Sequence, residues 1–434
     1  MMALAHNARR LHNDIVDRIM LFCSTFETLS SISLVSKSFY RVFQAHPKSI
    51  YWAVAYNVVG PSLPQAMLVV KYPYEDVPSS KTAPMLELTS PVIITPTERR
   101  LLQENSQLVD TVENIYSRQN KNRKSKTSVL TAEESLRFRR AMYRLIFYSK
   151  LFPAMAYRPE LPAAQLLDEI REQRIAVLDR YPTEELQQLC SAAKFLRSML
   201  GEASFSDPAM NDALLSSGPS GALMVWKYSS YDILEGKVPL KFVEDEEIPP
   251  GLVGYLSVPL EHIWTARQVT TPSESEPPSM WILDEVDSAS DACSRCGTPD
   301  GFKLLCEANF YRFPVYLSRL FKGQLGLNTT IHEPFMAATG HLQYSESLGS
   351  LIRDLFSFRS QTAPAFDEWD PSDSYCFFCL MKFIEEHLWI WFFNKRIEDG
   401  WSPPDNCPDG YDCPLQKDDL HHVESKNHLC APIQ

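Results

Sequence analysis

The residues best equipped for chemistry in this sequence are cysteines and histidines, and most of them gather at one end. Of ten cysteines, Cys23 and Cys190 stand alone, and the other eight follow residue 290. The last three fall in "CPDGYDCPLQKDDLHHVESKNHLC", Cys407 to Cys430, where Cys407, Cys413, His422 and His428 are spaced C-x5-C-x8-H-x5-H. Two thiolates and two imidazoles are what a tetrahedral zinc ion accepts. The stretch between them has little to bury, so bound zinc would supply folding free energy that a core cannot. His421 and Cys430 are spare, and Cys430 can replace a histidine, so the spacing leaves the ligand set open.

Two further pairs are Cys293-Ser-Arg-Cys296 and Cys376-Phe-Phe-Cys379. Each C-x-x-C can grip one zinc with two sulfurs. Together they make a four-cysteine site from segments distant in sequence, with Cys306 as a rival ligand. A redox pair and plain buried cysteines are the competing readings. A redox C-x-x-C opens a helix after a strand, and only Cys376 stands where a helix could begin. The eight closely interleaved ligands of a RING-type ligase domain are missing.

The tail is similar to the PBZ-type finger, which reads poly(ADP-ribose) and usually has the spacing C-x5-C-x6-H-x5-H. Gly410 sits where that family keeps its glycine. Asp409 replaces the aromatic before it, and Pro414 and Leu415 replace the aromatic-basic residues after the second cysteine. The insert is two residues longer. The resemblance therefore implies the metal but not poly(ADP-ribose) binding. No nucleotide-binding, serine-hydrolase, metalloprotease or deaminase motif is present. His332-Glu333-Pro334 has no partner histidine at helical spacing and reads as a loop histidine. A non-catalytic protein is expected.

The elements that must hold these residues are helices. The chain has 434 residues, 44% hydrophobic and 22% charged, enough for two or three domains with packed cores. Glycine is scarce at 15 and proline plentiful at 31, which suits helices punctuated by loops better than a barrel or sandwich. A net charge of −12 argues against general nucleic-acid binding. No signal-type apolar stretch opens the sequence, and the greasiest run, Leu388 to Phe393, is too short to span a bilayer. Clustered cysteines without a secretory signal suit a reduced compartment, cytoplasmic or nuclear.

We expect a mainly α protein: an N-terminal three-helix module, a helical middle domain and a Cys/His-rich, zinc-stabilised C-terminal region. The boundaries read as 8–60 for the module and the helix after it, 61–130 for a linker with a basic loop, 131–265 for the helical domain, 266–290 for a second linker and 291–434 for the C-terminal domain. "SRQNKNRKSKTS", Ser117 to Ser128, reads as a solvated, disordered loop, with a nuclear-import patch as the alternative. Thr131 and Glu134 form a capping box ahead of a helix. Another helix runs from about Ala164 to Arg180, and a third follows Thr183 with the stripe Leu186, Leu189, Cys190, Ala193, Leu196 and Leu200. Two more cover about 346–359 and 376–398, and the Leu388–Phe393 aromatics read as core.

At the N-terminus, Ile15, Ile19 and Phe22 share helical spacing, as do Leu29, Ile32, Val35, Phe39 and Val42. About 35 residues cannot close a core around so many apolar side chains, so some must meet the rest of the chain or another protein. Six buried Ile, Leu or Phe side chains would gross on the order of 10 kcal/mol, comparable with an association cost of about 4–15 kcal/mol.

"LHNDIVDRIMLFCSTFETLSSISLVSKSFYRVF" resembles an F-box. Leu11, Ile15, Ile19, Leu29, Leu34, Val35, Ser36, Lys37 and Phe39 fall where that pattern places them, while His12, Asp14 and Ile32 replace its usual proline, glutamate and leucine. "HPKSIYWAVAYNVVGPSLPQAM" and "LTAEESLRFRRAMYRLIFYSKLF" resemble a family of large fungal F-box proteins. The resemblance implies that residues 11–45 bind the Skp-type adaptor of a cullin ubiquitin ligase through Leu11, Ile15, Ile19, Leu29, Leu34, Val35, Ser36 and Phe39. The rest would hold an unknown protein substrate. The alternative is a zinc-stabilised binding module acting outside the ligase on protein, nucleic acid or poly(ADP-ribose).

Overall fold

Helix starts are set here by hydroxyl side chains that accept the backbone N–H groups a first turn leaves unpaired. In the computed structural model, Thr25 Oγ1 accepts from the Thr28 N–H at 3.1 Å, and Ser36 Oγ accepts from that of Phe39 at 3.4 Å. The N-terminal elements are α1 (Asn13–Leu21), α2 (Phe26–Ser33), α3 (Lys37–Ala45), α4 (Pro47–Val59) and α5 (Leu63–Lys71). The structure describes residues 12–74, 87–125, 127–154, 164–201, 207–228, 230–239, 242, 244, 247–270, 272, 276–287, 289–313, 317–339 and 346–433. Leu11, residues 75–86 of the expected linker and part of the 266–290 segment lie outside them.

The rest of the expected linker is not one. It carries α5 and the 25-residue α6 (Pro96–Asn120), which opens on a capping box between Thr95 and Glu98. Leu102, Val109, Val112 and Tyr116 lie on one side of α6 and are buried. The same core takes in α7 (Ala132–Leu151), α8 (Ala164–Leu178), α9 (Thr183–Gly201), α10 (Pro208–Leu214), α11 (Gly218–Tyr228) and α12 (Ser257–Ala266). Tyr116, Phe138 and Phe195 join α6, α7 and α9, with ring centroids 4.5–6.2 Å apart. The stripe from Leu186 to Leu200 is buried as expected, Cys190 included. The second expected linker is also part of this core: Ile282 is fully buried, and its carbonyl accepts from Arg137 Nε at 2.9 Å.

A second core holds α13 (Thr329–Thr339), α14 (Glu346–Leu355) and α15 (Phe377–Glu398), and α16 (Leu420–Ser425) follows in the tail. Leu380, Phe383, Ile384, Leu388 and Phe392 of α15 are its buried stripe, so the aromatic run is core, as expected. Trp369 stacks between Tyr375 and Phe383, at 4.6 and 5.1 Å. No strand forms among the described residues; only isolated bridges do. No single described helix is long and apolar enough to cross a membrane, and α4 with α5 meets the length only across a 109° bend.

The basic segment departs most from expectation. Ser117 to Asn120 finish α6, and Lys121 and Arg123 turn inward. Lys121 pairs with Glu134, the fully buried N3 residue of the α7 capping box. Burial works against the Glu134 carboxylate, but Lys121 and the N–H groups of Thr131 and Asp284 hold it below its usual range. Arg123, 1% exposed, donates to the Gly301 carbonyl at 2.7 Å, to Asp291 Oδ2 at 2.6 Å and to Ser374 Oγ at 3.2 Å. Lys121 and Arg123 are thus taken out of the basic run, while Lys124 stays exposed. Composition suggested a solvated loop because the acceptors that draw these cations inward lie up to 251 positions away. Arg123→Met should cost on the order of 3 kcal/mol, because it strands buried acceptors. Chemical denaturation of the full chain, followed by tryptophan fluorescence, should show the lower midpoint.

Candidate metal centres

Each cysteine–histidine group is assembled from a tight turn and a helix. In the first, Cys293 N–H donates to the Thr298 carbonyl and Gly297 N–H to the Cys293 carbonyl, both at 2.9 Å. The resulting knuckle needs Gly297 at φ +72°, a region closed to most side chains. Cys376 is the N-cap of α15 and Cys379 lies in its first turn. Free N–H groups and the helix dipole there favour thiolates. The bridge between Leu305 and Tyr375, with Ser294 N–H on the Ser374 carbonyl at 2.8 Å, brings the knuckle to the helix.

The four sulfurs of Cys293, Cys296, Cys376 and Cys379 all lie within 4.8 Å of one another, and this group can hold a metal ion. Cys296 Sγ and Cys376 Sγ are 3.7 Å apart. A tetrahedral ion with sulfurs at about 2.3 Å sets them about 3.8 Å apart. Thr298 hydrogen-bonds the Cys296 sulfur and brings that thiol down to about 6, while burial pushes Cys376 and Cys379 up. Cys306 lies outside this group. It is buried away from the group, with its sulfur 4.0 Å from the Arg123 carbonyl.

The second group comprises Cys407, Cys413, His422 and His428, with ligand atoms likewise within 4.8 Å. Asp419 caps α16 by accepting the His422 N–H at 2.9 Å, which fixes the imidazole over the turn. His422 Nε2 lies 3.6 Å from Cys407 Sγ and 3.4 Å from Cys413 Sγ. Tetrahedral S and N ligands at about 2.3 and 2.0–2.1 Å would be about 3.6 Å apart. His428 is 1% exposed, and both its ring nitrogens are buried without a hydrogen-bond partner. Such a group is costly unless one nitrogen lone pair is used, as a metal would use it. Burial, then His422, pushes its imidazole below the usual range, keeping it neutral.

The structure closes the choice that spacing left open. His421 is exposed and outside the group. The Cys430 thiol faces the backbone, 3.3 Å from the Asn427 carbonyl and 3.7 Å from that of Cys407. Gly410 has φ +47°, and a Cβ there would lie 2.3 Å from the Cys430 carbonyl oxygen. The polar tail is thus an ordered loop docked on the second core, where Gln416 accepts from Asn328 Nδ2 at 3.0 Å and Tyr411 packs on Trp389. His332 sits in α13, not in a loop, and belongs to neither group.

At the N-terminus the expected contact residues divide. Ile15 (48%), Leu34 (80%) and Val35 (71%) are exposed, with Ile19 and Phe22. Leu29 is buried in this chain's own core and cannot meet a partner in this conformation. Ser36 is the α3 cap, and Phe39 packs partly against the core. Val16 and Met20 form the buried face of α1.

No family model, curated protein or solved structure matches the chain.

Sequence reasoning missed Gly297, whose place directly after a C-x-x-C was the signal. It also missed Arg123, for which no local signal exists. Cys413→Ser should remove one metal equivalent per chain by elemental analysis, whereas Cys430→Ser and His421→Ala should remove none. Gly410→Ala should destabilise the tail, seen as a metal that chelator strips at lower concentration.

Proposed function

We propose that the chain is the substrate receptor of a cullin-type ubiquitin ligase, engaging a Skp-type adaptor through its N-terminal helices and an unknown protein through the rest. It performs no chemistry itself. The reading is carried by one observation: Ile15, Ile19, Phe22, Leu34 and Val35 remain exposed on a module whose other face is sealed into the helical core. Leu34 and Val35 lie in the α2–α3 turn, inside the "LVSKSFY" string that carries the F-box resemblance. Burying a side chain of this kind is worth about 1.5–3 kcal/mol. A handful can therefore drive docking, and Leu29 is dropped from the contact set. Both metal ions are zinc on this reading, because thiolate and imidazole sets with tetrahedral spacing favour it.

Leu34→Asp with Val35→Asp should weaken capture of a purified Skp-type adaptor by the full chain at least tenfold, without lowering the melting temperature. Equal capture by the parent and the double variant, or none by either, would sink the receptor reading. Elemental analysis should find about two zinc ions per chain.

A further inference from the structure

A hollow of about 200 Å³ lies beside the tail, between the end of α15, the start of α13 and the α16–Leu429 segment. Its walls are apolar at Ile331, Val423 and Leu429 and cationic at Arg396 and Lys426, with Trp401 at one side. Sites for drug-sized ligands run to about 300–1,000 Å³, so this one suits a single side chain.

Arg396 is its distinctive wall. The guanidinium carbon stacks 3.9 Å from the centre of the Trp401 ring, and the Trp401 N–H donates to the Arg396 carbonyl at 2.9 Å. The neighbouring carboxylates are taken elsewhere: Lys395 lies 3.6 Å from Glu398 and 3.4 Å from Asp399. No described residue accepts a hydrogen bond from the Arg396 side chain or forms an ion pair with it. Burial pushes it below the usual range, the direction expected of a half-buried cation without a carboxylate beside it. Lys426 has only a 3.8 Å contact with the fully solvated Asp405. Glu424 is the one acid in the lining. In a chain of net charge −12, a half-buried, stacked and uncommitted arginine over an apolar floor is a recognition device for an oxyanion.

We infer that this hollow binds the anionic side chain of a partner polypeptide, gripped by the Arg396 fork with its methylenes against Ile331 and Val423. This names the substrate-reading site of the proposed receptor and rests on that reading for its biological meaning. The shared chemistry is a side-chain oxyanion, either a carboxylate or a phosphoryl group.

The test is an array of immobilised peptides of mixed flanking sequence, with Asp, Glu, phosphoserine, Gln or Ala fixed at the centre. The full-length, metal-loaded chain is the probe. Retention should be enriched at Asp and Glu or at phosphoserine over Gln and Ala, and the arm that wins names the source. Arg396→Gln should lower that retention at least tenfold, and Arg396→Lys should lower it less, with melting temperature and metal content unchanged in both. Equal retention on Gln-centred peptides, or full retention by the folded Arg396→Gln variant, would overturn the assignment. Adaptor capture on the same preparations separates the two ideas: adaptor binding without anion-selective peptide retention by the parent chain refutes the hollow alone, and anion-selective retention without adaptor binding refutes the receptor alone.

Discussion

Arg123 carries a permanent charge at a position closed to water, and a protein tolerates this only where fixed acceptors replace the lost hydration. Those acceptors are the Gly301 carbonyl, Asp291 and Ser374, all in the C-terminal part, while the arginine belongs to the segment joining α6 to α7. Asp291 stands two residues before Cys293, and Ser374 two before Cys376. One guanidinium therefore ties both arms of the four-cysteine group to the helical core. Secondary contacts follow the same junction: Asp287 N–H reaches the Lys121 carbonyl at 3.1 Å, and Trp226 meets Tyr311 edge-on at 5.8 Å. The four cysteines are thus positioned partly by a residue far from them in sequence, and the two cores cannot shift independently without exposing a buried charge.

What was legible in the sequence was local. Helical periodicity located α9 and the Thr131–Glu134 box the start of α7, because a stripe such as Leu186 to Leu200 is written within one turn's reach of itself. Ligand types and spacings picked out both groups that can hold a metal ion, since tetrahedral coordination restricts the chemistry so strongly. Composition misled at α6: its exposed face is polar enough to hide the buried one, although the Thr95–Glu98 box marked its start. The basic run misled for a different reason. Its apolar neighbours are absent, and the partners that make burial tolerable are supplied only by tertiary structure. The choice between His428 and Cys430 was equally illegible, because it turns on which way a backbone carbonyl faces.

The two ends of the chain meet the problem of insufficient core in opposite ways. The tail has few aliphatic groups, so its turns are satisfied by backbone bonds such as Cys407 N–H on the Asn427 carbonyl at 2.9 Å, and its ligands converge on one point. Within that group His428 has both ring nitrogens buried without a hydrogen-bond partner, the feature a bound cation would best offset. The N-terminal module has the reverse surplus, with apolar groups beyond what its own packing absorbs.

That surplus is held rigidly. A nine-residue helix such as α1 is marginal in isolation, so its orientation must come from packing. Val16 and Met20 are sealed into the core, and Asn57 Nδ2 donates to the Leu21 and Cys23 carbonyls at 2.7 and 3.0 Å, closing the end of α1 from α4. Ile15, Ile19 and Phe22 therefore project from a fixed scaffold. Side chains ordered before association forfeit little further entropy on binding, so a modest apolar area can yield useful affinity.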